Sequence, residues 1–367
     1  MNGFALYRLP HADHYVEIRQ EGELLQLGSY AELGGISGGF VFAPFSVSRE
    51  CPIVVIRGEG RIYSSNNKTA NKTATDNPGS KSNYSPLLAR GVGGEAAGTL
   101  TSAHAIDFAN FHSRLLAGEF AKIVLARTET VPVSKSGERL FLEACARYPR
   151  MFIALVSTSL TGTWLRATPE PLLEKTAEGY HTVALAGTQQ MGQGDWDERS
   201  VAWNDKNIME QRLVATYITE QLEHFADHID IDGPHTARAG ELAHLRTNYR
   251  FTLSDDGRMG ELIAALHPTP AVCGLPKDDT RRFILQNESA PRRYYSGFTG
   301  PLGIGGETHL YVTLRCMELH DEACTLYAGG GLLPGSQLRQ EWDETVAKME
   351  TMKALIYDEE TAENKNH

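Results

Sequence analysis

The segment LYAGGGLLPGSQLRQEWDETVAK, residues 326–348, constrains the fold of this chain more than any other. An apolar run ends in three glycines, Gly329 to Gly331, and a short loop leads into a helix. Helical spacing puts Glu341, Glu344 and Lys348 on one face of that helix. Glycines let a backbone approach a ligand closely and offer bare N–H groups to an anion. Two carboxylates and an ammonium beside them suit a magnesium ion bridged to a carboxylate substrate. Read alone, the segment fits a glycine turn before a solvated charged helix equally well, so the rest of the chain has to decide.

Other segments narrow the fold class. AKIVLARTETVPV (121–133) is β-rich, with Lys122, Val124 and Ala126 on one face. Helical spacing appears at 102–117, and again in GERLFLEACARY, where Leu140, Phe141, Ala144 and Cys145 form the apolar side. Short strands alternate with turns from Met151 to Gly187. A longer helix starts near Asn204 or Asp205, with Met209, Leu213, Tyr217 and Ile218 expected inward and Glu210 on the flank of that face. A helix from about Asp278, strands at 308–317 and 323–328, and the terminal helix complete the pattern. Strands joined by tight turns, with helices between groups of them, predict an α+β fold with a mostly antiparallel sheet core. No GxGxxG opens a helix after a strand and no GK[ST] follows a glycine loop, so neither a dinucleotide site nor a P-loop is indicated.

One stretch breaks the globular pattern. SSNNKTANKTATDNPGSKSNYS, 64–85, is almost devoid of apolar side chains and is expected to be a long mobile loop. It separates a less recognisable amino-terminal part, 1–117, from a part dense in signals, 118–352. No second linker appears, so 1–367 is expected to form one large domain with an insertion. The net charge of −11 argues against nucleic acid or an anionic membrane as partner. No run approaches the length of a transmembrane helix, and the first residues lack a basic region followed by an apolar core. Five cysteines without a CxxC pair fit reduced thiols. A cytoplasmic, monomeric protein is the expectation. His11 and His14 stand too far from other ligand types to suggest a metal site.

Five segments in order, KIVLAR (122–127), TPEPLL (168–173), ALAGT (184–188), LHPTPAVCGLP (266–276) and LYAGGGLLPGSQLRQEWDET (326–345), resemble the chorismate-binding enzymes. NDKNIMEQRLV (204–214) and YVTLRC (311–316) add to the likeness, which covers roughly 118–352. The resemblance implies one large α+β domain with two layered, mainly antiparallel sheets and helices packed outside. It also implies chorismate as substrate. Family members that attack the ring with a lysine carry it where this chain has Ala186, and a methyl group cannot do so. The HPTPA pentapeptide, His267 to Ala271, is similar to that of the isochorismate synthases, in which water is the nucleophile. The implied reaction adds a hydroxyl at C2 and removes one at C4, for menaquinone or catechol siderophore synthesis. The alternatives are a lyase that carries on to salicylate and a chorismate-binding protein without activity.

By the same resemblance Lys122 is the general base and Glu170 the general acid. Both roles require burial, which lowers the pKa of a lysine and raises that of a glutamic acid. Glu210 and Glu344 match the family's Mg²⁺ ligands, with Glu341 acting through water. Gly187, Thr188, His267, Ala271, Arg315, Gly329 and Lys348 match substrate-binding positions. Gln211 stands where histidine is common, and Gly330 where alanine is frequent.

Overall fold

The computed structural model describes residues 2–64, 100–191, 196–239 and 242–357. The loop expected at 64–85 lies, beyond Ser64, outside the described residues. Among the described residues, six strands precede residue 100: Gly3–Arg8 (β1), His14–Gln20 (β2), Leu25–Leu27 (β3), Gly39–Ala43 (β4), Ile53–Ile56 (β5) and Gly60–Ser64 (β6). The next seven are Lys122–Pro132 (β7), Phe152–Thr158 (β8), Gly162–Thr168 (β9), Pro171–Thr176 (β10), Gly179–Gln190 (β11), Ala226–Ala239 (β12) and Leu242–Leu253 (β13). The last are Gly274–Leu275 (β14), Phe298–Leu302 (β15), Thr308–Val312 (β16), Cys316–Leu319 (β17) and Ala323–Leu332 (β18). The α-helices are Ser102–Leu116 (α1), Gly137–Arg147 (α2), Asp205–Glu223 (α3), Met259–Leu266 (α4), Lys277–Asn287 (α5) and Leu338–Ile356 (α6). Side chains cap three of them at the N-terminus: Thr101 accepts from the His104 N–H, Ser136 from Arg139 and Asn204 from Asn207.

The strands form two nine-stranded, antiparallel sheets. The first runs β14-β7-β18-β17-β9-β8-β1-β2-β6 and the second β12-β13-β11-β10-β16-β15-β4-β5-β3. Each sheet takes three strands from residues 3–64 and six from residue 122 onward. Phe40, Phe42, Phe152, Trp164, Tyr294 and Tyr311 fill the space between the sheets. α2 and α6 cover the outer face of the first sheet, while α3 and α4 cover that of the second. This is the layered α+β fold expected. The five cysteines are free, and no helix among the described residues is long and apolar enough to cross a membrane.

Three local expectations change. The strand expected over 308–317 is two strands, β16 and β17, in different sheets; the chain crosses between them at Arg315, with φ of 44°. The glycine triplet does not end its strand, because β18 continues through Gly331 to Leu332 against β7. In α3 Met209 is 49% exposed, and the buried stripe is Asn207, Glu210, Gln211, Val214, Ile218 and Leu222. That helix turns polar side chains inward at its first two turns, toward the space described next.

Candidate active site

The open edge of β18 is the foundation of the site. The Val124 N–H donates to the Cys273 carbonyl at 2.7 Å, and the Ala126 N–H to the Glu288 carboxylate at 2.7 Å. Gly331 and Gly329, paired with these two residues, therefore turn their own N–H groups away from β7. On that other side β17 pairs no further than Tyr327, so these glycine N–H groups have no strand partner there. Side chains stand directly over the glycine backbone. A Cβ on Gly331 would overlap Glu210 Oε1 and lie 2.8 Å from Lys122 Cε; one on Gly329 would lie 2.8 Å from the Tyr295 hydroxyl. A Cβ on Gly330 would come within 3.2 Å of Glu341 Oε2 and 3.6 Å of Glu344 Oε1. At Gly329 and Gly331 glycine is needed for close approach, not for a turn.

Three carboxylates thus face this edge, and each has its own lysine. Lys122 Nζ, fully buried, lies 2.9 Å from Glu210 Oε1. Lys206, one helical turn before Glu210, meets Glu341. Lys348 Nζ reaches Glu344 Oε1 at 2.6 Å and donates to the Gly329 carbonyl at 2.9 Å. Burial opposes ionisation of Glu210, but Lys122 and Lys206 outweigh it and hold the carboxyl below its usual range. For Glu341 burial prevails over Lys206 and the carboxyl is pushed up.

The opposite wall carries the acid. Glu170 follows Thr168-Pro169 at the start of β10 and is only 3% exposed. Burial pushes its carboxyl up to about 7, against the pull of Lys122, Lys348, Arg315 and Arg246. Arg315 lies beside it at the crossover between the sheets. Its Nη2 contacts His244 Nε2 at 3.1 Å, and its Nη1 donates to Thr351 Oγ1 at 3.3 Å. Burial brings the guanidinium down to about 10, which leaves it charged at neutral pH. His244 Nδ1 meets the Gly187 carbonyl at 3.1 Å and so must carry the proton, leaving Nε2 to accept from Arg315. Burial, with Arg315 next, holds this imidazole far below its usual range and therefore neutral.

These groups enclose a cavity between the sheets. Among the expected residues, Glu170, Gly187, Thr188, Glu210, Ala271, Arg315, Gly329 and Lys348 line it, as does Ala186. Lys122 stands behind the wall, reached past Glu210 and Gly331. Glu341 and Glu344 line an adjoining cavity with Thr188, Lys206 and Asp343. His267 lies elsewhere: its ring packs edge-on against Tyr30 and Phe298, and Nε2 meets the Pro44 carbonyl at 3.2 Å. Burial holds it near 3, so it is a neutral core histidine beneath the Ala271–Val272 wall and does not line the cavity. Gln211 does not touch Glu210 in this structure; its Nε2 donates to the Ala184 carbonyl and Thr247 Oγ1, both at 3.1 Å, tying α3 to the second sheet.

Sequence reasoning missed His244, Tyr295 and Tyr327, all on the cavity wall. It also missed Lys206, although four-residue spacing already placed Lys206 and Glu210 on one helix face. Among the described residues no three His, Cys, Asp or Glu side chains are grouped as a ready metal cluster. The donor set is nonetheless all oxygen, and Glu341 and Glu344 converge on the space that a Cβ at Gly330 would fill. That chemistry fits a hard divalent cation.

Comparison with known proteins identifies the family. The family model described as chorismate binding enzyme matches residues 102–357. Isochorismate synthase DhbC of Bacillus subtilis is 32% identical over 254 residues, covering 65% of this chain and 64% of that protein. The salicylate biosynthesis isochorismate synthase of Pseudomonas aeruginosa is 32% identical over 245 residues, covering 65% and 51%. The chain therefore spans between half and two thirds of the length of these relatives. The structure of MenF, the menaquinone-specific isochorismate synthase from Escherichia coli, aligns with a TM-score of 0.73 at 20% identity. It covers 97% of this chain and 89% of that one, a likeness of fold. With the model matching well over half of its residues, the chain belongs to the chorismate-binding enzyme family.

Proposed function

We propose that the protein is an isochorismate synthase, converting chorismate to isochorismate with water as nucleophile. The observation that carries this reading is the buried Glu170, poised to donate a proton into the cavity that Ala186 also lines without offering an amine. Relatives named as isochorismate synthases support the same reading. Lys122, once it has given up to solvent the proton it holds against Glu210, takes the proton from the water that attacks C2 of the ring. Glu170 gives a proton to the hydroxyl leaving C4, which departs as water. Each turnover thus leaves Lys122 protonated and Glu170 ionised, and exchange with solvent resets both. Arg315, oriented by His244, and Lys348 hold the substrate carboxylates, with the N–H groups of the glycine edge beside them. Glu210 and Glu344, with Glu341 through water, would hold Mg²⁺, which when bound neutralises and fixes one substrate carboxylate.

The test is to incubate purified protein with chorismate and Mg²⁺ and separate the products by chromatography. Isochorismate alone is expected. Salicylate with pyruvate would assign the lyase reaction instead, and no turnover would leave a binding protein.

A further inference from the structure

β7 presents two faces. Lys122 and Val124 lie on the face toward the site, while Arg127, from the alternate set, faces the helices on the other side of the sheet. Arg127 is buried, and its guanidinium lies over the ring of Trp342 with Cζ 3.9 Å from the centroid. Its Nε donates to Thr345 Oγ1 at 2.7 Å, and Nη1 lies 3.4 Å from Glu129 Oε2. Trp342 also meets the His104 ring of α1, centroids 5.1 Å apart at 64°. Burial, with Arg127 next, holds His104 near 4, so no second positive charge competes with the guanidinium at neutral pH.

Trp342 and Thr345 belong to α6, and so do Glu341, Glu344 and Lys348. Trp342, Thr345, Met349 and Met352 form the buried stripe against the sheet. The three charged residues form the adjoining stripe, each one residue before a member of the first, about 100° round the helix. The rotation of α6 about its axis therefore decides where the carboxylates point. Side-chain tips lie about 5–6 Å from a helix axis, so a rotation of about 20° displaces them by roughly 2 Å. Metal coordination tolerates about 0.2 Å. Apolar contacts on the buried stripe resist such sliding only weakly. A hydrogen bond and a face-on guanidinium, both from one rigid strand that also bears Lys122, fix it in place.

The geometry points to Arg127 as a positioning residue: clamped on Trp342 and Thr345, it sets the rotation of α6 and so aims Glu341, Glu344 and Lys348 at the glycine edge. This rests on the reading of those three residues as cation and carboxylate ligands. Half-saturating Mg²⁺, KM for chorismate, kcat and Tm would be measured for Arg127→Gln, Trp342→Leu and Trp342→Phe. Phe141→Leu, in α2 on the hydrophobic cluster that holds Met349 and Met352 of α6, is the control for lost stability alone.

Arg127→Gln and Trp342→Leu are expected to raise half-saturating Mg²⁺ roughly tenfold, as loss of ligand support does. Trp342→Phe keeps a ring face for the guanidinium and should stay within about twofold. Phe141→Leu should lower Tm and leave the Mg²⁺ dependence where it was. If Arg127→Gln only lowers Tm, or if Phe141→Leu shifts the Mg²⁺ dependence as much, the proposal is overturned. Arg127→Lys serves if the glutamine variant does not fold, since a lysine cannot make both contacts. Should the wild-type chain make no isochorismate, the proposed function fails on that result alone. A crystal structure of Arg127→Gln then decides: Lys348 still on the Gly329 carbonyl overturns the clamp, and its displacement supports it.

Discussion

Glu170 and Glu210 line one cavity, and their surroundings drive them in opposite directions. Both are at least nine-tenths buried, so desolvation acts against both charges. Glu210 has Lys122 Nζ at 2.9 Å and Lys206 a helical turn away, and it stays ionised. Glu170 has cations around it but no salt bridge among the described residues, and its carboxyl rises to about 7. One position supplies a fixed negative charge and the other a transferable proton. Direct pairing with Lys122, reinforced by Lys206, separates the two, and environment rather than residue type assigns the roles.

The strongest way to break this contrast is to remove that lysine. Lys122→Gln should lower turnover by about 10²–10⁴ as the general base is lost. It should also destabilise the fold by about 3–5 kcal/mol, because Glu210 is left buried without its partner. Adding Glu210→Gln should recover stability in chemical denaturation but not activity. A single variant with normal turnover removes Lys122 from the mechanism.

Glu170→Gln comes next, with kcat down by about 10²–10³ and KM little changed. Its effect on stability has the opposite sign. The folded carboxyl sits at about 7 and the unfolded one at its ordinary value of 4.5, so the wild type loses stability as pH rises between them. At pH 8 the glutamine variant should therefore be more stable, by roughly 1–3 kcal/mol. A variant that loses binding and keeps kcat would make Glu170 a binding residue.

Gly331→Ala probes the other carboxylate, since a Cβ there meets Glu210 and Lys122 together. We expect kcat/KM to fall at least about tenfold, as for a displaced metal ligand. Gly335→Ala, with nothing within 4 Å of its Cβ, should be neutral. Equal effects at the two glycines would contradict the close packing at the edge. The smallest effect is that of pH: kcat/KM should fall by about tenfold per unit above pH 7 as Glu170 loses its proton.

Much of this contrast was legible in the sequence. The residues of both carboxylates, Lys122 and the glycine edge followed from ordered motifs, because short segments carry them whole. What escaped depended on distant partners or on local rules broken at the site. The described strands before residue 100 join the two sheets through β1 on β8 and β4 on β15, partners more than a hundred residues away, and no local pattern announces such pairing. Apolar Met209 reads as inward because helices bury apolar residues, yet α3 turns Asn207 and Glu210 inward, onto the two adjoining cavities. Arg315 breaks a strand that looked continuous, with a positive φ where the chain changes sheets. His267 sat in an informative pentapeptide, but its ring turns into the core while Ala271, four residues on, reaches the cavity.

The opposite tuning of the two carboxylates can be observed directly by infrared difference spectroscopy of glutamate-labelled protein titrated from pH 4 to 9. Glu170→Gln and Glu210→Gln variants would supply the assignments. The account predicts one carboxyl band that ionises near pH 7 and disappears in Glu170→Gln, while the Glu210 band ionises below the usual glutamate range. A Glu170 that ionises in the ordinary range near 4.5, together with Glu210, would contradict it.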